Sequence, residues 1–100
     1  MSKNIKFLKN LFEKVEECKG WKLEFDFEQC FCDNERKVIA MWKDYVIDQP
    51  WYYVKEAFLH EVAHIGEKRA GSWVTHDEEF FKRFGNLLIK YSHLSIDDLT

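Results

Sequence analysis

An α+β fold in a single domain, 1–100, is the class this sequence predicts, and three observations predict it. The first is length, because 100 residues supply one hydrophobic core and no material for a second. The second is composition: hydrophobic residues make up 46% of the chain and aromatics 17%, against four Gly and one Pro, so an ordered globule follows. The third is a change of period, with three- and four-residue apolar spacing toward both ends and alternation between them. Together these predict an N-terminal helix, a small antiparallel sheet of two or three strands, a long central helix and a C-terminal helix.

Taken in chain order, Ile5, Leu8, Leu11, Phe12, Val15 and Cys18 form the stripe of an amphipathic helix that Gly20 ends. The run WKLEFDF at 21–27 alternates strictly, with Trp21, Leu23, Phe25 and Phe27 on one face and Lys22, Glu24 and Asp26 on the other, as a half-buried strand does. A short second strand is expected around Cys30 and Cys32. Asp33, Asn34 and Glu35 then supply a turn, and RKVIAMW at 36–42 reads as a further strand, completing an antiparallel meander. Asp48 or Gln49 can cap a second long helix, with Pro50 in its first turn and Gly66 at its stop. After a loop at 67–72, Thr75-His76-Asp77-Glu78 has the Thr-x-x-Glu form of a capping box. It opens a third helix carrying Phe80, Phe81, Phe84, Leu87, Leu88 and Tyr91.

Charge excludes some functions. The 15 Lys and Arg and 18 Asp and Glu are interleaved and sum to −3, so no basic stripe is available for phosphates and direct nucleic-acid binding is not expected. Lysines at 3, 6, 9 and 14 break up the N-terminal apolar residues, which argues against a signal peptide, and no stretch is apolar enough to cross a membrane. A cytoplasmic location is the expectation. Cys18, Cys30 and Cys32 are an odd set and are expected as reduced thiols. With His93 they would make a structural zinc site whose spacing matches no common zinc knuckle, so buried or half-buried thiols are the simpler expectation.

The chemistry concentrates at His60-Glu61-Val62-Ala63-His64, an H-E-x-x-H motif in the central helix. Residues i and i+4 share a helix face, so both imidazoles can reach one ion. Glu61 lies about 100° around the helix, placed to act as general base on a water at the metal without being a ligand. Ala57, Phe58, Leu59, Val62, Ala63 and Ile65 surround the motif, so the helix is expected to be largely buried. Two histidines and a glutamate are costly in such a helix unless something satisfies them, and Zn2+ would satisfy all three. A solvated pair of helix histidines is the competing reading. A catalytic zinc needs a third protein ligand, and His76 stands twelve residues beyond His64 at the head of the next helix.

The stretch FLHEVAHIGEKRAGSWVTHDEEFFKRFGNLL, 58–88, resembles the SprT-like and WLM-like minimal zincin peptidases. In these an H-E-x-x-H helix is followed by a short loop and a His at the head of an aromatic-rich helix. The resemblance covers about a third of the chain and implies a zincin-like fold, His60, His64 and His76 as metal ligands and Glu61 as base. Asp77 stands where that family has a small Gly, and the resemblance carries no DNA-linked substrate with it. A longer signature, H-E-x-x-H-x-x-G-x-x-H, fails at Glu67 and Ala70. Glu78 or Glu79 is an alternative third ligand. Tyr91 and His93 are secondary candidates for stabilising an oxyanion or donating a proton, and Trp42, Trp51 and Trp73 for lining a cleft, with ordinary packing or exposure the plainer expectation.

Metal-assisted hydrolysis of a peptide or protein substrate is therefore the leading functional expectation, the strand at 36–42 offering an edge on which an extended substrate pairs. A non-enzymatic zinc-binding interaction module on the same scaffold is the alternative, because so short a chain has little material to wall a deep cleft. A metal-free domain with structural histidines is the third.

Overall fold

The unbroken apolar run Val38-Ile39-Ala40-Met41 organises the sheet. The structure is a computed structural model that describes residues 2–67 and 77–100, and in it all four side chains are buried within strand β3 (Val38–Trp42). A strand that is apolar on both faces belongs in the middle of a sheet. β3 is accordingly flanked by β1 (Lys22–Asp26) and β2 (Phe31–Asp33), in the order β1-β3-β2. β2 pairs antiparallel to β3, from Phe31 opposite Ala40 to Asp33 opposite Val38. β1 pairs parallel to it, from Lys22 opposite Val38 to Asp26 opposite Trp42.

The expected antiparallel meander is thus corrected to a mixed sheet. β1 puts Lys22 and Glu24 on its exposed face and suits an edge, while its apolar face gains most beside the most apolar strand. The segment 27–37, with β2 inside it, is the crossover that lets β1 and β3 run the same way.

Two aspartates set the strand ends. Asp26 Oδ2 accepts hydrogen bonds from the backbone N–H of Glu28 at 2.9 Å and of Gln29 at 3.0 Å. That turn ends β1 at Asp26, so Phe27, expected on the buried face, is 86% exposed. Asp33 Oδ1 accepts in the same way from Glu35 and Arg36, at 3.1 and 3.0 Å. Lys37 at φ 56 then turns the chain into β3, which begins at Val38 rather than Arg36.

Helix α1 (Lys3–Lys14) buries Phe7, Leu8 and Leu11, and a 3₁₀ turn at Glu16–Cys18 extends the stripe through Val15 and Cys18. Each such side chain contributes roughly 1.5–3 kcal/mol on leaving water. A short helix that sequence reasoning did not assign precedes the expected central helix. The residue before a proline is driven out of the helical region, and Gln49, at ψ 155, ends a short helix α2 (Lys43–Asp48). Pro50 then stands as N-cap of α3 (Trp51–Val62), in place of Asp48 or Gln49. Asn4 Nδ2 satisfies the end of α2, donating to the carbonyls of Val46 at 2.9 Å and Gln49 at 2.7 Å.

Helix α4 (Glu78–Lys90) begins later than the proposed capping box: Asp77 is its N-cap, with Oδ1 accepting from Phe80 N–H at 2.9 Å. Thr75 and His76 lie outside the described residues. A last turn, α5 (Ile96–Leu99), packs on α1. The core runs through α1, β3, α3 and α4, with Phe7, Leu11, Met41, Val54, Phe58, Leu59 and Phe80 fully buried. Buried Lys55 of α3 donates to the carbonyls of Tyr91 and Leu94 in the turn that follows α4. None of the described helices is long and apolar enough to cross a membrane.

Candidate metal centre

Helix α3 ends at Val62, two residues short of completing the H-E-x-x-H motif. Ala63 is its C-cap, and His64 sits in a tightened turn in which its N–H donates to the Glu61 carbonyl at 3.0 Å. Gly66 closes that turn at φ +85, a left-handed position that suits glycine. His60 and His64 nonetheless remain one above the other, their ring centroids 5.1 Å apart. One ligand atom from each of His60, Glu61 and His64 falls within 4.8 Å of the others. Donors about 2.1 Å from a shared ion sit no more than about 4.2 Å apart, so small rotations suffice to gather this set. Two imidazoles and an oxygen also fit the donor chemistry of zinc.

Helix α4 supplies the apolar wall. Phe80 stacks on the His64 ring with centroids at 4.4 Å and meets His60 edge-on at 5.0 Å, while Phe84 meets His60 at 5.5 Å. His64 is buried at 6% exposure, whereas the His60 side chain is 32% exposed. Glu61 lies between them in access and places Oε2 3.2 Å from His60 Nδ1. The centre is therefore closed on the His64 side and open on the His60 side, where a cleft of about 240 Å³ runs between Tyr45, Tyr53, Glu56, His60, Glu61 and Phe84.

Sequence reasoning missed three residues that hold this arrangement. Glu67 Oε2 lies 3.0 Å from His64 Nδ1, and its other oxygen accepts from Arg83 Nη2 at 2.8 Å. Arg83 Nε also donates to the Ala63 carbonyl at 2.9 Å, fastening α4 to the end of α3. Asn34, in the β2–β3 turn, donates Nδ2 to the His64 carbonyl at 2.9 Å and accepts from Gly66 N–H at 2.7 Å. A carboxylate on one imidazole nitrogen fixes the tautomer and commits the other nitrogen, here Nε2, to any metal. The three-residue step from His64 to Glu67 was a signal in the sequence. Nothing local pointed to Arg83 or Asn34.

Other expected residues take structural places. His76 and Trp73 lie outside the described residues. Glu78 and Glu79 are exposed in the first turn of α4, Glu78 pairing with Lys82 at 3.8 Å, and neither joins the His60, Glu61, His64 cluster. Tyr91 is a buried brace for the 3₁₀ turn, donating to Glu17 Oε1 at 2.6 Å and accepting from Glu16 N–H at 3.0 Å. His93 is exposed. Trp51 packs edge-on against Phe7, and Trp42 stacks on Tyr45. Trp42 and Trp51 thus take the packing places expected first, and among the described residues the aromatic side chains that line the cleft include Tyr45, Tyr53 and Phe84.

Cys18, Cys30 and Cys32 are free thiols, and no cluster joins them to His93 among the described residues. Burial chiefly, with nearby Glu61 next, pushes the Cys32 thiol up to about 12. The same carboxylate acts on Cys30, so β2 and the residue leading into it lie beside Glu61. β3 is paired on both sides and offers no edge, contrary to the expectation for 36–42; the edge nearest the centre belongs to β2. No family model, curated protein or solved structure matches the chain.

Proposed function

We propose that this chain is a zinc-dependent metallohydrolase of the minimal zincin kind, SprT-like or WLM-like, that cleaves peptide bonds. The observation that carries the reading is the gathering of His60, Glu61 and His64 ligand atoms within 4.8 Å of one another at the mouth of a cleft. His60 and His64 would hold the ion, with His76 as the third ligand carried over from the sequence. Zinc, when bound, lowers the pKa of water to about 7 and polarises the scissile carbonyl.

The chain's own residues account for the rest. Glu61, with its side chain only 12% exposed, takes the proton of the attacking water and delivers it to the departing amine. Phe80 and Phe84 keep bulk water off the imidazole faces, so charges at the centre interact more strongly than they would in solvent. Glu67 and Arg83 hold His64 in one tautomer and one orientation. The outer edge of β2, beside Glu61, is where an extended peptide would add as a strand, its backbone groups pairing without regard to sequence.

The test pairs metal analysis with digestion of a broad peptide library by the parent and by Glu61→Gln. One zinc per chain in both, with cleavage by the parent alone, is the expected result. A protein that binds no zinc on titration removes the reading. A specific observation favours a second reading, a zinc-containing interaction module without turnover: a cleft of about 240 Å³ lies below the usual range for ligand pockets. Zinc bound by a parent that cleaves nothing would establish it.

A further inference from the structure

One face of α3 runs as a stripe into the metal centre. Tyr53, Glu56, Ala57 and His60 stand at i, i+3, i+4 and i+7, and all four line the cleft. Tyr45 comes to the same cleft from α2 and Phe84 from α4. Two carboxylates, Glu56 and Glu61, and no Lys or Arg belong to this lining among the described residues. Their situations differ. Glu61 is largely buried and faces His60 Nδ1, whereas Glu56 is exposed one turn away. Among the described residues no cation pairs with Glu56. Tyr53 is 48% exposed and Tyr45 half-buried, so both phenol rings border open space. The Tyr45 phenol is raised by burial first, then by Cys30, Glu56 and Tyr53, which puts Glu56 within electrostatic reach of the ring.

A carboxylate that lines the open end of a cleft together with two aromatic rings suits one kind of group. A guanidinium or ammonium can pair with the carboxylate, lay its apolar stem on the rings and gain from their negative faces. A neutral side chain gains only the contact, and an acidic one is repelled by both glutamates. We propose that Tyr45, Tyr53 and Glu56 form a subsite for an arginine or lysine side chain of the substrate, about one helical turn from the bond to be cut. The proposal rests on the peptidase reading for the identity of its ligand, but the recognition step needs no turnover.

The experiment therefore reads binding first. Full-length protein, zinc-loaded and metal-free, is titrated with N-acetyl-arginine amide and its neutral isostere N-acetyl-citrulline amide. Both probes are blocked at each end, so only the side chain differs in charge. Binding is followed by NMR shifts of the tyrosine rings. Arginine amide is expected to bind about tenfold more tightly than citrulline amide in both forms, and Glu56→Gln to equalise the two. Equal affinity for the two probes, binding of neither, or an unchanged preference in Glu56→Gln overturns the subsite. Library digestion with the parent and Glu56→Gln is the second arm, in which cuts beside Arg and Lys give way to cuts beside neutral residues. A parent that cuts nothing counts against the peptidase reading and leaves the binding contrast to decide the subsite.

Discussion

Glu67 Oε2 stands 3.0 Å from His64 Nδ1, and this carboxylate is itself held by Arg83 at 2.8 Å. The Glu67 side chain is only 16% exposed, so the pair works largely out of solvent. Removing the carboxylate frees the imidazole to rotate or to change tautomer. Glu67→Ala is expected to weaken zinc binding by about 10- to 100-fold without loss of helical content. Competition titration with a chelator, alongside circular dichroism, measures both. Unaltered zinc affinity would reduce Glu67 to a fastener between α3 and α4.

Glu61→Gln keeps the size of the side chain and loses the proton acceptor. It is expected to retain one zinc per chain and to lose at least about a hundredfold in peptide hydrolysis. Parallel metal analysis and initial rates decide it. A variant with the parent's rate would take the general base away from Glu61.

His76→Ala is expected to lower zinc affinity by more than about a hundredfold, because it removes one of three proposed ligands. Glu78 and Glu79, exposed at the start of α4, should each cost no more than about 1 kcal/mol of stability as alanine, through the helix dipole. Asp77→Ala should cost about 1 kcal/mol through the lost cap. Zinc titrations and urea melts of the four variants separate ligand from cap. Undiminished affinity in His76→Ala, with a collapse in either glutamate variant, would move the third ligand to a carboxylate.

Cys18 offers a test independent of any metal. Burial, then Glu17 and Cys32, raise its thiol from the ordinary 9.0 to about 12. The folded chain therefore keeps this proton in a range where the unfolded chain loses it, so the stabilising contribution is whole below pH 9 and falls as pH climbs toward 12. Between pH 8 and 10.5 the Cys18 contribution should drop by about 1–2 kcal/mol. Urea melts at the two values should show a smaller drop in Cys18→Ala. A drop equal to the parent's would place the pH dependence elsewhere.

The local patterns that survive in the structure are those with a short-range cause. The stripe of α1, the alternation of β1 and the pairing of His60 with His64 at the end of α3 each follow from neighbours a few residues apart. Pairing partners do not. WKLEFDF and RKVIAMW both read as strands, but their parallel pairing depends on which strand is apolar on both faces, a comparison across the whole sheet. Pro50 marks the start of α3 in the sequence, but α2 before it, at six residues, is too short to show a helical period. At the site, His60, Glu61 and His64 were readable because their spacing is helical. Arg83 and Asn34 act from sixteen residues after Glu67 and thirty residues before His64, where no periodicity reaches.

The two hydrogen bonds of Asn34 to the turn after α3 have a consequence for where this chain tolerates a change of length. Hairpin tips ordinarily accept insertions. Here β3 is fixed in register by partners on both sides, so an added residue between Asp33 and Val38 would displace Asn34 while the strand stayed in place. The His64 carbonyl and Gly66 N–H would lose their partner, and the histidine its seat. The exposed turn at 27–29 carries no such tie to α3 among the described residues. A tag or loop graft therefore belongs after β1, and the turn between β2 and β3 is the one whose length is under constraint.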